Sequence, residues 1–292
     1  MQKRILITGA TGMLGSSLVK LLQKNHQVFS TSKSNLNLDF FNNYKQFNLQ
    51  NKDYSSLLDW SEPDVIIHTA ALTNVDFCEN NEEIALDINA ESVKRFLSYG
   101  DSSRFILISS DAVYQDGINL ATESDETNPE NIYGKSKKIA EEYIKNSGPL
   151  NLSIRTTILG KSINPKNKSF IDWVVESARN NKPINLFEDV IFSPITTWHL
   201  GEEIRWLLGS SLEGLINIAG RETISKFQIA KNICEGLCLP TEFLSPSKLE
   251  ESNLFAKRSK DQTLDVTLYE NISGRKLPDI NKTLECLIKK FR

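Results

Sequence analysis

The sequence predicts an α/β fold, in which a doubly wound parallel sheet is followed by a smaller C-terminal domain. Three observations lead to this prediction. Short β-branched runs alternate with helical patterns over the first half of the chain, a glycine-rich turn joins the first run to the first helical pattern, and the rhythm changes after Gly160. The length of 292 residues suits one large sheet with a small second domain.

The order of the elements follows from the spacing of apolar residues. Strands are predicted over residues 4–8, 27–31, 45–49, 65–69, 104–110, 151–156 and 214–219. Helices are predicted over residues 14–24, 82–97, 133–144, 169–180, 200–208, 225–237 and 280–291. Ser225 is the expected N-cap of its helix. The run at 65–69 is expected to be buried on both faces, and the run at 214–219 to return to the main sheet.

Composition excludes several classes of partner. The chain carries 34 basic and 37 acidic side chains, a net charge of -3, so neither nucleic acid nor an anionic membrane surface is expected to bind. No apolar stretch approaches the ~20 residues of a membrane helix. The four cysteines form no CxxC pair and the three histidines do not cluster in the sequence, so no metal site is predicted. These features predict a cytoplasmic protein with reduced thiols.

The strongest local motif is TGATGMLG at residues 8–15. It follows a predicted strand and opens a predicted helix, which is the context of a phosphate-binding loop. Gly9 permits the tight turn, Gly12 lets the backbone approach a pyrophosphate, and Gly15 lets the helix pack on the strand. The predicted cofactor-binding residues of this loop are Gly9, Thr11, Gly12, Met13 and Leu14. Residues 1–160, with returns around 198–220, are therefore interpreted as a Rossmann-type dinucleotide-binding domain.

The end of the second predicted strand distinguishes between the two nicotinamide cofactors. NAD-preferring sites place an acidic residue there to bind the ribose 2′-hydroxyl. This chain reads FSTSKS at residues 29–34 and has no carboxylate before Asp39. Hydroxyl and ammonium groups suit a 2′-phosphate, so Ser32 and Lys33 are predicted to bind it and the cofactor is predicted to be NADP(H).

Tyr133 and Lys137 form a YxxxK pair on one face of a predicted helix. A free tyrosine has a pKa near ~10, and a neighbouring ammonium is expected to lower it. Tyr133 is then suited to donate a proton to a carbonyl oxygen as hydride reaches the carbon. Ser110 ends the fifth predicted strand, at the edge that faces the ligand crevice, and is expected to donate a hydrogen bond to the same oxygen. The three residues predict a carbonyl reductase.

The sequence resembles the extended short-chain dehydrogenases/reductases, and within them the dTDP-4-dehydrorhamnose reductase family. The similar stretches lie at residues 68–76, 108–113, 129–137, 154–156, 192–194 and 214–220. The resemblance implies a catalytic triad of Ser110, Tyr133 and Lys137, with Ser110 in place of the usual threonine, and Lys137 also at the nicotinamide ribose. It implies that Ala70, Ala71 and Thr73 lie along the cofactor and near the sugar, and that Asn89 supports the lysine through water.

The same resemblance implies that the substrate is a nucleotide-diphosphate 4-keto-6-deoxy sugar whose ketone is reduced. Thr73, Ser110 and Arg258 are the predicted substrate contacts, residues 161–292 mainly form the substrate-binding domain, and a homodimer is possible by analogy. Three positions depart from the family. An aromatic residue is replaced by Ala112, a tryptophan is missing from residues 155–158, and Arg-Pro is replaced by Arg-Ser at 258–259. These departures leave the identity of the sugar open.

Two alternative functions remain. A sugar-nucleotide epimerase or dehydratase of the same superfamily would recycle tightly bound NAD, which the missing strand-end acid disfavours. A non-catalytic NADP-binding regulatory subunit, known among relatives of this family, would have no need of Ser110, Tyr133 and Lys137. The loop lysines Lys161, Lys166 and Lys168 are interpreted as solvated, with contact to a substrate diphosphate as the alternative.

Overall fold

The computed structural model describes residues 2–34, 39–99, 103–165 and 167–292. Lys166 lies outside this part of the chain. The strands are β1 Arg4–Thr8, β2 Gln27–Ser32, β3 Tyr44–Gln46, β4 Val65–His68, β5 Arg104–Ile108, β6 Leu152–Arg155, β7 Ile158–Leu159, β8 Ile184–Phe187, β9 Ile191–Phe192, β10 Ile195–Thr196, β11 Gly214–Asn217, β12 Ile224–Ser225, β13 Leu244–Ser247 and β14 Asp261–Gln262. 

The α-helices are α1 Met13–Leu22, α2 Ser55–Ser61, α3 Val75–Asn80, α4 Glu82–Leu86, α5 Ser92–Ser98, α6 Ile132–Lys145, α7 Phe170–Arg179, α8 Thr197–Leu207, α9 Lys226–Gly236, α10 Thr267–Ser273 and α11 Ile280–Phe291. A π-helical segment, Asp87–Glu91, joins α4 to α5, and 3₁₀ turns lie at Asp111–Val113 and Leu249–Glu251.

A parallel sheet forms the centre of the molecule. In the described part of the chain it has seven strands in the order β11-β6-β5-β4-β1-β2-β3. The chain adds strands outward from β1 to β3, then returns to the other side of β1 with β4, so the direction of winding reverses between β1 and β4. This confirms the predicted doubly wound fold, and the predicted return of residues 214–219 is confirmed by β11, which pairs with β6.

The sheet is buried on both faces, because its side chains alternate between two apolar clusters. Ile5 and Ile7 of β1 pack with Leu18 of α1 and with α8, whereas Leu6 packs on the opposite face with α2, α5 and α6. All three of these β1 side chains have no exposed surface. Burial of apolar area of this kind contributes about 25 cal/mol per Å² to folding. The first residues of the chain therefore anchor the centre of the core.

The second half of the chain builds smaller sheets and its own apolar clusters. Strand β9 pairs with β12 and β14, β8 pairs with β13, and β7 pairs with β10. Helices α7, α9 and α11 pack around Phe192 and Ile233, away from the main sheet. As predicted, Ser225 caps α9, and its side chain accepts a hydrogen bond from the Gln228 N–H at 3.0 Å.

Two predicted elements differ from the structure in an informative way. The third strand was expected at residues 45–49, but β3 ends at Gln46 because the Asn48 side chain accepts from the Gln50 N–H and turns the chain. The helix expected at residues 82–97 spans 82–98, but it widens to a π-helical segment at Asp87–Glu91. Asn89, in this segment, is fully buried and faces the loop after β4.

Candidate active site

A cavity of about 690 Å³ opens at the carboxyl ends of the central strands. The loops after β1, β2, β4, β5 and β6 line it, since parallel strands end at the same edge of the sheet. This edge lies at the reversal between β1 and β4, where open α/β sheets bind ligands. The loop at 162–169, Lys226 and Gln262 complete the wall from the second half of the chain. The cavity therefore lies between the main sheet and the C-terminal elements.

The glycine loop brings the N-terminus of α1 to the cavity. Gly9 has a φ of 68°, which favours glycine, and a Cβ on Gly15 would lie 2.3 Å from the Gly9 carbonyl oxygen. Gly12 is the N-cap of α1; among the described residues no side chain caps this helix, and its first turn has no acid. Its free N–H groups suit an anion. The predicted cofactor residues of the loop all line the cavity: Gly9, Thr11, Gly12, Met13 and Leu14.

Ser32, Lys33 and Ser34 line the cavity at the end of β2. Ser32 is buried, and its hydroxyl donates to the Ser34 carbonyl at 2.8 Å and lies 2.7 Å from the Tyr44 hydroxyl. The Ser32 hydroxyl therefore stabilises the turn. Lys33 and Ser34 are exposed. Ser32 and Lys33 are the two residues predicted to bind a 2′-phosphate. The Ser32 hydroxyl is used within the turn, whereas the Lys33 ammonium makes no hydrogen bond to another described residue.

The loop after β4 is fixed from both sides. The Thr69 hydroxyl donates to the Thr8 carbonyl at 2.7 Å, and the Ala70 N–H donates to the Thr8 hydroxyl at 3.3 Å. The predicted residues Ala70, Ala71 and Thr73 all line the cavity, and Thr73 is exposed. The structure therefore brings these three positions to the same cavity as the glycine loop.

Asn89 holds the same loop through its amide. Its Oδ1 accepts from the Leu72 N–H at 2.7 Å, and its Nδ2 donates to the Leu72 carbonyl at 3.1 Å and to the Ser136 hydroxyl at 2.9 Å. Ser136 lies on α6 between Tyr133 and Lys137. Asn89 thus connects the loop after β4 to the helix of the YxxxK pair, and the support it gives Lys137 through water stays a prediction.

Ser110 and Tyr133 meet because α6 packs directly on the turn after β5. A Cβ on Gly134 would lie 2.0 Å from the Ala112 carbonyl oxygen, so only glycine allows this approach. Ser110 lies close enough to Tyr133 to lower the pKa of its phenol. The Ser110 hydroxyl also donates to Asp111 Oδ1 at 2.7 Å and accepts from the Ala112 N–H at 3.2 Å. Ser110, Tyr133 and Lys137 all line the cavity.

The expected lowering of the Tyr133 pKa is wrong for this structure. Burial raises the pKa of Tyr133 to about 12, the nearby Ser110 hydroxyl lowers it in part, and the negative charge of Asp111 raises it further. Burial withdraws water from the phenolate, and the resulting rise in pKa exceeds the fall expected from the neighbouring Lys137 ammonium. The phenol is therefore protonated throughout the neutral range, which is the form that donates a proton.

Lys137 is nearly inaccessible to solvent. Burial lowers its pKa to about 8, while the negative charge of Glu141 raises it. His68 lies close enough to feel this charge: burial first, and then Lys137, lower its pKa to about 3. The neutral His68 ring bonds the Thr8 hydroxyl through Nδ1 at 3.0 Å and so links β4 to β1. 

A buried ion pair supports the base of the site. Arg155 Nη2 donates to Glu141 Oε2 at 2.7 Å, and Arg155 Nε donates to Glu141 Oε1 at 3.0 Å. The Ser109 hydroxyl donates to Glu141 Oε1 at 2.5 Å, and Tyr114 bonds the Arg155 guanidinium. The network ties β6 and α6 to the residue before Ser110. It fixes the catalytic candidates relative to one another.

Several residues of the cavity carry no local sequence signal. Thr157, Lys226 and Gln262 line it, but none belongs to a motif that indicates a function at these positions. Lys226 and Gln262 reach the cavity through pairings of β9 with β12 and β14, which are distant in the sequence. Thr156, Thr157 and Ile158 also line it, so the segment that departs from the family by lacking a tryptophan does face the cavity.

Arg258 does not line the cavity. Its guanidinium is held by Asp76, with Nη1–Oδ1 and Nη2–Oδ2 distances of 3.1 Å each. Lys168 lines the cavity, but its ammonium is paired with Glu176 at 2.6 Å. The structure thus brings Thr73 and Ser110 to the cavity and leaves Arg258, the third predicted substrate contact, outside it.

No helix in the described part of the chain is long and apolar enough to span a membrane. Within the same residues, no group of three or more His, Cys, Asp or Glu side chains is placed to hold a metal ion.

Comparisons with known proteins agree with this fold. Residues 3–292 match the family described as the RmlD substrate binding domain. A probable low-salt glycan biosynthesis reductase of Haloferax volcanii is 25% identical, over 98% of this chain and 97% of its own. The methionine adenosyltransferase 2 subunit beta of Bos taurus is 28% identical, over 94% of this chain and 84% of its own.

Among solved structures, dTDP-4-dehydrorhamnose reductase of Bacillus anthracis in complex with NADP superimposes with a TM-score of 0.88. It is 25% identical, with 99% of each chain covered. A hypothetical dTDP-4-dehydrorhamnose reductase of Sulfolobus tokodaii is 32% identical over 96% of this chain and 98% of its own, with a TM-score of 0.84. The family match extends over almost the whole length of the sequence. The chain therefore belongs to the RmlD substrate binding domain family.

Proposed function

We propose that this protein is an NADPH-dependent reductase of a nucleotide-activated 4-keto-6-deoxy sugar. The observation that carries the proposal is the convergence of Ser110, Tyr133 and Lys137 at one cavity with the glycine loop. A protein that binds a dinucleotide without catalysing a reaction has no use for this triad. The B. anthracis relative, a dTDP-4-dehydrorhamnose reductase, is seen in complex with NADP, which supports both the cofactor and the substrate class.

The residues of the cavity fit the cofactor. The free N–H groups at the start of α1 suit the pyrophosphate, and the close approach at Gly12 leaves the backbone accessible to it. Lys33 suits a 2′-phosphate, with Ser32 holding the turn that presents it. Ala70, Ala71 and Thr73 are assigned to the length of the cofactor, and Lys137 with Tyr133 to its nicotinamide end. When bound, NADPH supplies the hydride that reduces the carbonyl carbon.

The side chains of this protein perform the proton transfer and the stabilisation of charge. Tyr133 holds a proton at neutral pH and donates it to the carbonyl oxygen. With substrate bound, the Ser110 hydroxyl turns from Asp111 Oδ1 and donates its hydrogen bond to the same oxygen, which stabilises the negative charge that develops there. The Lys137 ammonium, fixed one helical turn after Tyr133, stabilises the phenolate that remains. Thr73 and Ser110 are assigned to the sugar; Arg258 would have to leave Asp76 to reach it.

The residues that line the cavity support a separate role for each half of the chain. We assign cofactor binding to residues 1–160 with the returns around 198–220, and substrate binding mainly to residues 161–292. The loop at 162–169, Lys226 and Gln262 support the second assignment. All four cysteines, each within the described residues, are free, which supports a cytoplasmic location. A homodimer stays a prediction that light scattering would test.

A regulatory, non-catalytic role is the competing proposal. It is favoured by the similarity to the methionine adenosyltransferase beta subunit and by the altered cavity positions such as Ala112. An epimerase or dehydratase activity is opposed by the end of β2, because no acidic residue lines the cavity there within the described chain.

The test is NADPH oxidation by the purified protein across a panel of dTDP- and UDP-linked 4-keto-6-deoxy sugars. We expect turnover with at least one sugar, a 4-hydroxy product and faster reaction with NADPH than with NADH. Tight NADPH binding with no oxidation across the panel would replace the proposal with the regulatory role. Protein purified with stoichiometric NAD would favour the epimerase instead.

A further inference from the structure

Lys226 presents a positive charge to the cavity from the second half of the chain. It is the first residue of α9, after the cap at Ser225, and its N–H donates to the Val190 carbonyl at 3.1 Å. Its ammonium lies 3.5 Å from the centroid of the Phe192 ring and 5.8 Å from that of Phe170. These rings hold the charge where it is partly shielded from water. No step of the proposed reaction uses it.

Asp111 presents a negative charge to the same cavity from the catalytic side. Its Oδ1 accepts the 2.7 Å hydrogen bond from Ser110, and the nearby Thr157 side chain acts to lower the pKa of this carboxyl group. Burial raises the pKa of Asp111, and the charge of Lys226 opposes this rise. Burial lowers the pKa of the Lys226 ammonium to about 8, and the charge of Asp111 opposes this fall. Both groups line the same cavity, and each stabilises the charge of the other.

The two charges interact without direct contact. Among the described residues, Asp111 and Lys226 share no hydrogen bond and no ion pair, although both line the cavity. A small polar group of a ligand can therefore lie between them. A hydroxyl fits best, because it donates to the carboxylate and accepts from the ammonium at once. A carboxylate would be repelled by Asp111, and an amine would be repelled by Lys226.

We propose that Asp111 and Lys226 together bind the 3-hydroxyl of the sugar and so determine which 4-keto sugar is accepted. The inference rests on the proposed function. Asp111 is bonded to Ser110, which is assigned to the ketone oxygen at C4, so the hydroxyl in reach lies on a carbon next to C4. In a 4-keto-6-deoxy sugar these neighbours are C3, which carries a hydroxyl, and C5, which carries the methyl group. The 3-hydroxyl is therefore the group that the pair recognises.

The chemistry of the pair predicts strong selection against sugars that lack this hydroxyl. A site built to hydrogen-bond a hydroxyl rejects the deoxy analogue, since its own polar groups are then left without partners. The tryptophan and the aromatic residue that relatives carry are replaced here by residues 155–158 and Ala112. A polar pair in place of apolar contacts is consistent with a substrate that is recognised through its hydroxyl groups.

The test compares Lys226→Met with Lys231→Met on a 4-keto-6-deoxy sugar nucleotide and on its 3-deoxy analogue. Lys231 lies on the same helix, and its exposed ammonium is 4.0 Å from Glu235. We expect Lys226→Met to lose 10- to 100-fold in kcat/KM with the 3-hydroxy sugar and less than threefold with the analogue. The dissociation constant of NADPH should stay unchanged in both variants. Lys226→Gln, which keeps a donor, should recover part of the loss.

The outcomes separate the inference from the proposed function. Equal losses on both sugars, or no loss on either, would overturn the inference and leave the reductase assignment intact. Inactivity of the wild type with every 4-keto sugar would overturn both. Melting temperatures of the three variants, measured beside the kinetics, show whether Lys226→Met loses activity because it unfolds. If it does unfold, Lys226→Gln decides the question by whether it still discriminates between the two sugars.

Discussion

At the scale of single residues, Lys137 combines a functional charge with a structural cost. Its pKa is about 8 in the folded chain against 10.5 for the free group. A lysine whose folded pKa is depressed weakens the fold most below that pKa, and the cost disappears as pH rises toward 10.5. One pKa unit corresponds to about 1.4 kcal/mol. The catalytic candidate is thus expected to destabilise the protein at neutral pH.

We predict that Lys137→Met abolishes turnover while raising the free energy of unfolding at pH 7 by about 2–3 kcal/mol. The gain should shrink as pH rises from 8 to 10.5. Urea unfolding at a series of pH values measures it. Lys135→Met, on the same helix with an exposed ammonium 2.8 Å from Glu82, should change stability by less than about 1 kcal/mol. A Lys137→Met variant less stable than the wild type at pH 7 would show that Glu141 outweighs the cost of burial.

Lys33 is the residue expected to choose between the two cofactors. It is exposed at the end of β2 and no acidic side chain of the described chain lines the cavity beside it. Loss of one charge-assisted contact to a phosphate costs on the order of 1.5–3 kcal/mol. Lys33→Ala should therefore weaken NADPH binding by about 10- to 100-fold and leave NADH binding unchanged. Fluorescence titration measures both constants, with Lys24→Ala, exposed after α1, as the control. An equal loss for both cofactors would contradict the assignment.

At the scale of elements, the packing of α6 on the turn after β5 creates the catalytic geometry. The contact between Gly134 and the Ala112 carbonyl leaves no room for a Cβ, which would lie 2.0 Å from that oxygen. Gly134→Ala must push the start of α6 away from the turn and Tyr133 away from Ser110. Overpacking of this kind costs about 1–3 kcal/mol.

We therefore predict that Gly134→Ala lowers kcat at least tenfold and lowers stability by about 1–3 kcal/mol. Steady-state kinetics and urea unfolding measure the two effects. Gly148→Ala is the matched control, because a Cβ there meets no atom within 4 Å, and it should leave both quantities nearly unchanged. Normal kcat in Gly134→Ala would mean that the distance between Tyr133 and Ser110 does not limit the reaction.

At the scale of the whole molecule, the sequence predicts the main sheet better than the walls of the cavity. Strands such as β1 and β4 are apolar on both faces and are framed by turns, so local patterns are sufficient to find them. Strands β9, β12 and β14 have two residues each and exist only through pairing with distant segments. No local pattern can predict them, and for the same reason Lys226 and Gln262 could not be assigned to the cavity from sequence.

The same contrast applies inside the candidate site. Tyr133, Lys137 and the glycine loop stand in short motifs with fixed spacing, so the sequence alone indicates them. The pKa of Tyr133 depends on burial under several elements and on the charge of Asp111, and it therefore differs from the value that the YxxxK spacing suggests. Arg258 was assigned from a family pattern, but its ion pair with Asp76 depends on how α3 lies against the C-terminal half.

We propose that one protonated phenol, Tyr133, makes this chain a reductase, because it lies at the cavity between the main sheet and the C-terminal elements. The measurement is single-turnover NADPH oxidation with an accepted 4-keto sugar nucleotide, followed for the wild type, Tyr133→Phe and Tyr143→Phe. Tyr143 lies on the same helix, and its hydroxyl donates to Glu91 at 2.6 Å away from the cavity. We predict that Tyr133→Phe slows the reaction by about 10²–10⁴-fold with an unchanged NADPH dissociation constant, while Tyr143→Phe stays near the wild-type rate. A near-normal rate in Tyr133→Phe would show that Tyr133 is not the proton donor.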